Sequence, residues 1–450
     1  MRSLLQEIKK TAVLALPISI GQLGHVLTGV ADYTMLGHTV PLEMAGATFA
    51  TSVFFPIMIL GLGFSIGLTP LVAKANGAKD SRKVKTLFRT GFKLNLILGL
   101  LLLGVLLFFG NHLELFNQPQ EVVDVCLDYY YIISFSIIPL MLFQAFKQFV
   151  EGLQDTKTPM IISLLGNVIN VILNYFLIFG WGGYDGMGII GAGISTLIAR
   201  SLMLFIFVAY FMKVEKLRAL VPALFHDILV LKYIKEILNI GLPISTYMFF
   251  EVTAFSAATF MMGWISEAHI AGHQVALSLA SMSFVICMGV GNAGSIRSAT
   301  LVGEKKIKEV RGVVRSVVFI SLSLSLLFAL VFFIFNEELP LIFVNESSEE
   351  IIMLASSMIW FAAIFQFSDG IQVIYQGLLQ GIGDVKVPSL IAVASYWFIG
   401  LPFGCFLAFE TTVGYIGIWI GLAVGLTISA VLQVTRYQFS YRKLLRESQF

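Results

Sequence analysis

Residues Leu242–Trp264 read LPISTYMFFEVTAFSAATFMMGW, an apolar run with Glu251 near its middle and no other acid or base for several turns on either side. Coiled into a helix, a run of roughly 20 apolar residues spans the hydrocarbon core of a bilayer. A carboxylate there is costly, about 2.5–3.5 kcal/mol for an acid at the helix centre. Two readings explain its presence: a protonated acid hydrogen-bonded to a neighbouring helix, or a group that handles an ion or a proton. The second organises the rest of the chain.

The surrounding composition agrees with a membrane setting. Of the 450 residues 57 % are apolar and 12 % charged, and the mean hydropathy is +0.88. A soluble domain carries roughly 45–50 % apolar and 25 % charged residues, so the sequence describes an all-α, polytopic integral membrane protein. Net charge is only +2, which gives no electrostatic case for nucleic acid. Cys126, Cys287 and Cys405 lie far apart inside apolar runs and suggest neither a disulfide framework nor a metal site. Lys9 and Lys10 precede a first apolar stretch as in a signal peptide, but no small-residue cleavage site follows. It is expected to be a retained first span.

Apolar runs predict twelve transmembrane helices, near 11–36, 46–73, 86–110, 126–150, 159–180, 187–212, 237–264, 268–298, 310–335, 350–379, 387–409 and 414–436. Their connections alternate in charge. All of the 29 Lys and Arg except Arg200 fall on one side, while the loops near His38, Asn111, Gly182, Ser266, Asn336 and Thr411 hold none. Basic loops remain cytoplasmic. Both termini are therefore expected in the cytoplasm of a multi-pass inner (plasma) membrane protein, with an even number of spans.

The chain also repeats itself. Leu16-Pro17-Ile18-Ser19 returns as Leu242-Pro243-Ile244-Ser245, a shift of 226 that also carries Gly63 onto Gly289 and Arg89 onto Arg315. Gly152-x-x-Asp155-x-Lys157-x-Pro159 returns as Gly381-x-x-Asp384-x-Lys386-x-Pro388, at a shift of 229. The organisation predicted is two pseudo-symmetric six-helix lobes, 1–212 and 237–450, joined by a basic cytoplasmic linker, 213–236. Six spans per lobe give both the same orientation, a parallel repeat. Transporters built this way place their site in a central cavity where the halves meet and work by alternating access.

Two further acids lie well inside the spans, Asp32 in the first and Asp369 in the tenth. Asn167, Asn170 and Asn174 in the fifth span recur at three and four residues, so they share one helix face. They serve either interhelical hydrogen bonding or, with Asp32 and Thr196, a hard-oxygen environment for a small cation or a network around a proton carrier. A buried acid favours its neutral form, and a nearby cation favours the charged form. Competition of proton and cation for one carboxylate is what an antiporter needs. His25, seven residues before Asp32, and His273 read either as relay groups or as core histidines. Gly289-x-Gly291-x-x-Gly294 and Gly186-x-Gly188-x-x-Gly191 match a dinucleotide fingerprint but follow no βα strand, and read as close helix packing. Asn345-Glu346-Ser347 is a glycosylation sequon with meaning only in a secretory host. No ATP-binding loop or hydrolase motif occurs, so the chain is not expected to be an enzyme or to use ATP.

The runs ALPISIGQLGHVLTGVADYTMLGH, MAGATFATS, GLGFSIGLTPLVAKANGA, FFEVTAF and GIGDVKVP together resemble the multidrug and toxic compound extrusion family, in its NorM-like branch. The resemblance implies export of cationic, often aromatic amphiphiles in exchange for inward Na+ or H+, with no cofactor beyond that coupling ion. It assigns cation or proton coupling to Glu251, Asp369 and Asp32, with Asn170, Asn174 and Thr196 as the supporting polar network. Another branch carries a second aspartate where this chain has Asn174, which shifts weight to Glu251 and Asp369 as the place for Na+. Phe250, Phe365, Tyr375, Phe143 and Gln274 are candidates for lining the substrate cavity, the aromatics by cation–π contact. The expected partners are organic cations, Na+ or H+ and the lipid bilayer, with the chain working as a monomer. The alternative is a flippase for a lipid-linked or anionic substrate. It calls for basic residues inside the spans, where only Arg200 stands.

Overall fold

In hydrocarbon no water satisfies the backbone, so each apolar run must close its hydrogen bonds internally as a helix. The computed structural model describes residues 4–182, 184–218, 220, 230–344 and 348–448. Twelve of its helices are long and apolar enough to cross a bilayer. They are α1 (Leu4–Gly37), α2 (Pro41–Gly77), α3 (Ser81–Gly110), α4 (Gln120–Gly152), α5 (Lys157–Phe179), α6 (Gly188–Lys213), α7 (Leu231–Gly263), α8 (Glu267–Gly303), α9 (Ile307–Ile334), α10 (Glu349–Ile382), α11 (Lys386–Phe409) and α12 (Ile416–Glu447). Between α5 and α6, Gly180–Trp181 pairs antiparallel with Tyr184–Asp185 in a two-residue ladder. Residues 219 and 221–229 of the expected linker, and the sequon Asn345-Glu346-Ser347, lie outside the described residues.

Packing divides the chain into two compact units, Ile20–Ser245 and Met1–Ser19 with Thr246–Phe450. The divisions at 212 and 237 expected from sequence follow chain order. The packing divisions instead cut α1 and α7, directly after the two Leu-Pro-Ile-Ser copies. Side-chain hydrogen bonds give the reason. Ser19 Oγ donates to the Ile286 carbonyl of α8 at 2.9 Å, and Thr11 Oγ1 lies 2.7 Å from Ser316 Oγ of α9. Arg297 of α8 adds a buried ion pair with Glu7. At the matching place in the repeat, Ser245 Oγ donates to the Leu60 carbonyl of α2 at 2.6 Å. Leu60 and Ile286 are themselves 226 residues apart, so the repeat extends to individual hydrogen bonds.

The unit Ile20–Ser245, here the N-terminal unit, has a core of interlocking rings. Phe88 lies 4.3 Å from Phe149 and 5.3 Å from Phe211, and Phe146 stacks on Phe207 at 5.9 Å. α4 is interrupted at Ser136, whose hydroxyl turns back to the Ile133 carbonyl at 2.6 Å.

The C-terminal unit is built on a backbone-to-backbone crossing of α8 and α10. A Cβ on Gly377 would fall 2.2 Å from the Gly291 carbonyl oxygen, and one on Gly381 would fall 2.6 Å from that of Ser295. Small residues at such spacing let spans approach where the hydrophobic effect does not drive association. The glycines of Gly289-x-Gly291-x-x-Gly294 face three helices in turn, meeting Ser19 of α1, Val373 of α10 and Val317 of α9. This is helix packing, with no nucleotide cradle.

The repeated loops act as matching clamps. Asp155 accepts from Thr158 Oγ1 at 2.6 Å and from the Tyr210 hydroxyl of α6 at 3.4 Å. Asp384 accepts from Arg436 Nε of α12 at 2.6 Å, and Tyr210 and Arg436 stand 226 residues apart.

Candidate functional site

In the C-terminal unit the carboxylate of Glu251 on α7 is 7 % exposed, and no Lys, Arg or His pairs with it among the described residues. Its Oε1 lies 3.0 Å from the Tyr396 hydroxyl of α11 and 3.3 Å from Gln372 Nε2 of α10. The Tyr396 hydroxyl also lies 2.8 Å from Gln372 Oε1, so its one proton has two acceptors within reach.

A local break in helical geometry aims Tyr396 at this point. Ala394–Gly400 forms a π-helical turn within α11. Such a turn widens the helix and is found frequently at functional sites. The next residue in it, Trp397, donates from Nε1 to the Phe250 carbonyl at 2.9 Å. Consecutive residues of the wide turn thus fasten to consecutive residues of α7.

Asp369 sits one turn before Gln372 on α10, is 5 % exposed, and has no hydrogen-bond partner among the described residues. It belongs to a stripe of buried polar residues, Gln366, Asp369, Gln372, Gln376 and Gln380, that recur at three and four residues along one face. Neither amide atom of Gln376 has a protein partner among the described residues.

In the N-terminal unit Asn174 Nδ2 donates to Asp32 Oδ1, and Ser195 Oγ of α6 donates to Asn174 Oδ1, both through short contacts. Asn170 reaches Ser195 at 3.4 Å and Thr196 only at 3.5 Å, the outer limit of a hydrogen bond. Ser195, not Thr196, is therefore the closer hydroxyl of this network, and Asp32 rests on a neutral amide. Asn167 lies on the same face, with its Nδ2 buried and unpartnered.

Several expected positions lie elsewhere. Phe143 is buried against Phe207 at 5.4 Å in the N-terminal core, and Phe365 stacks on Trp419 at 5.6 Å in the C-terminal core. Both rings are buried in packing contacts. Tyr375 packs edge-on to Tyr437, and Gln274 is exposed. Phe250 stays at the site, its ring edge-to-face with Trp397 at 6.0 Å. His273 is fully buried between Trp419 and Thr259, a core histidine, whereas His25 is exposed.

Tyr396, Gln372 and Ser195 escaped sequence reading. Gln372 carried a signal, its three-residue spacing from Asp369, and Ser195 is next to Thr196. Tyr396 carried none, being one of fourteen tyrosines in a chain rich in apolar spans.

Twelve spans with acids at mid-helix, arranged as two copies of six, define a membrane transporter of the parallel-repeat class. A MatE family profile matches residues 17–176 and 243–406, one stretch in each copy, and the chain belongs to that family. It is 32 % identical to a probable multidrug resistance protein NorM of Xylella fastidiosa, across 96 % of this chain and 92 % of that one. With the multidrug resistance protein NorM of Photobacterium profundum it shares 29 % identity across 98 % and 97 %. The crystal structure of the eukaryotic MATE transporter AtDTX14 superposes with a TM-score of 0.87 at 21 % identity, covering 99 % of each chain, which establishes the shared fold.

Proposed function

We propose that this chain is a secondary antiporter that exports cationic amphiphilic compounds from the cytoplasm in exchange for Na+ or H+. It works as a monomer in the inner membrane with both termini cytoplasmic. The observation that carries this reading is Glu251, a buried carboxylate whose partners are the neutral donors Gln372 and Tyr396, with no cation paired to it among the described residues. The multidrug resistance names of the NorM relatives supply the substrate class.

The chemistry follows from Tyr396. When Glu251 is charged, the phenol donates to it; when Glu251 is protonated, its own O–H can donate a hydrogen bond to the phenol oxygen and free the phenol to donate to Gln372 Oε1. The state of one carboxyl is thereby written into the hydrogen bonding of α7, α10 and α11. A bound cation or Na+ favours the first arrangement and a proton the second. Asp369, one turn away, adds acid character, and Gln376 and Gln380 continue the polar stripe along the same face. Asp32 with Asn174 and Ser195 gives the other unit a weaker acid site of the same kind.

The test is transport of a fluorescent organic cation in proteoliposomes under separately imposed Na+ and pH gradients. At least one gradient is expected to drive uptake, and uptake driven by neither overturns the reading. In the same assay Tyr396→Phe keeps the acid and removes its donor. The loss of a hydrogen bond to a charged group, about 1.5–3 kcal/mol, predicts transport slowed by roughly tenfold or more. Asp369→Asn is expected to suppress ion-driven transport while ungraded dye binding persists, and normal transport by that variant removes Asp369 from the site.

A further inference from the structure

Glu251 meets α10 at Gln372, and from there the buried polar stripe of α10 continues through Gln376 to Gln380. The helix between Gln372 and Gln380 is about 12 Å long, most of the roughly 15 Å from the middle of a bilayer's hydrocarbon to its edge. Both amide atoms of Gln376 are buried without a partner among the described residues, and so are Ser295 Oγ and Ser298 Oγ of α8. A Cβ on Gly381, the residue after Gln380, would stand 2.9 Å from Ser298 Cβ and 3.0 Å from Ser295 Cα, which sets both serines at the end of the stripe. α12 adds the buried Gln433 Oε1 and the Tyr437 hydroxyl, also without partners among the described residues. The Tyr437 ring lies 5.5 Å from that of Tyr375, the neighbour of Gln376. Just past Gly381 the chain reaches the surface, at the exposed Gly383.

Toward the other end of α10 the stripe stops. Between residues 358 and 365 every buried side chain of the helix is apolar: Met358, Ile359, Ala362, Ala363 and Phe365. The deep polar face therefore leads from the acids to the Asp384 loop and not to the opposite side. The fold does not require such a face. α4 is the N-terminal copy of α10, and at the shift of 229 set by the Gly152 and Gly381 motifs, Gln366, Asp369 and Gln372 fall on Ile137, Leu140 and Phe143. All three are buried in the apolar core of the N-terminal unit. Polar groups at this depth are as a rule hydrogen-bonded, to protein or to ordered water, and leaving them bare is costly. Amides and hydroxyls donate as well as accept. They can hold water in a hydrogen-bonded file, whereas their donors repel Na+.

We infer that Gln376, Gln380, Ser295 and Ser298 line a file of water molecules that carries the proton of Glu251 to the Asp384 end of the C-terminal unit, apart from the route taken by substrate. The inference rests on the export reading and names H+ as the ion released. The Glu251 carboxyl gives its proton to the nearest water, the charge passes along the file by exchange of hydrogen bonds, and one proton leaves at Gly383. Glu251 remains as the carboxylate that an organic cation favours. The amides and hydroxyls stay neutral throughout. The apolar stretch 358–365 closes the file at its other end, so it opens to one side only and does not by itself short-circuit the gradient.

The test follows proton release by stopped flow, with the purified full chain in weak buffer, a pH indicator, and a rhodamine methyl ester as the organic cation. Binding of the rhodamine is read separately by anisotropy. The wild type is expected to release a proton as the cation binds. Gln376→Leu is expected to slow that release about tenfold, the scale of one hydrogen-bonding group lost from the file, while the affinity and the amount of proton released stay unchanged. Gln376→Asn, which keeps the amide, is expected to restore most of the rate. Release by Gln376→Leu at the wild-type rate overturns the inference, because the proton then leaves by another way. If Gln376→Leu loses rhodamine binding, Ser298→Ala, which removes one hydroxyl, decides on the same terms: slower release supports the file and an unchanged rate overturns it. A wild type that binds rhodamine without releasing a proton, yet exports it under a Na+ gradient, overturns the inference and leaves the export reading intact. A wild type that exports under neither gradient overturns both.

Discussion

Glu251→Gln is expected to abolish ion-driven export while the protein still inserts and folds. Glutamine preserves the size of the side chain and keeps an acceptor for the Tyr396 hydroxyl now 3.0 Å away, so the fastening of α11 to α7 survives. The change of charge on which competition between substrate and coupling ion depends is removed. Coupling energies between sites run to about 3 kcal/mol, so the ion-driven rate should fall by roughly a hundredfold. The measurement is dye efflux from proteoliposomes with the gradient imposed, next to equilibrium dye binding as a check of folding. A variant that exports at the normal rate would remove Glu251 from the mechanism.

The second large effect is structural. Gly377→Val is expected to break the C-terminal unit, because its Cβ alone would stand 2.2 Å from the Gly291 carbonyl oxygen. That oxygen is backbone and cannot step aside, so α8 and α10 must separate along their whole crossing. Overpacking of a close-packed interior costs about 1–3 kcal/mol even where side chains can adjust. The upper end or more is expected here, with a lowered Tm and loss of the monodisperse peak in detergent. Gly383→Ala provides the contrast for the same helix end. Gly383 has nothing within 4 Å of its Cβ position, so only the strain of its φ of 86° is added.

Much of this was legible in the sequence because the bilayer simplifies the reading. Span positions follow from hydropathy, and the two-copy plan from Leu-Pro-Ile-Ser at 16 and 242. Glu251, Asp369 and Asp32 stand out because charge is rare in such spans. The unit boundaries were not legible, since nothing in residues 1–19 says that Ser19 binds the Ile286 carbonyl, a contact across 267 positions. Tyr396 was hidden because its role depends on the π-helical turn that aims it, a departure that hydrophobic periodicity does not register. The packing of Phe143 on Phe207 and of Phe365 on Trp419 was not legible either, because an aromatic ring looks the same in sequence whether it fills a core or lines a cavity.

The exchanged helix starts bear on how the chain is made. Residues 4–19 leave the ribosome well before their partners, so Ser19 must wait for Ile286, Glu7 for Arg297 and Thr11 for Ser316. A segment made 267 to 305 positions before its partners is thus among the last to be packed, an extreme of non-local contact that delays completion of the fold. A nascent chain halted before α8 would leave Glu7 and Thr11 without their partners, a polar helix end open to proteases. The two Leu-Pro-Ile-Ser copies therefore act as a pair of latches, one closing α7 onto α2 already in the membrane, the other closing α1 only when the second half has arrived.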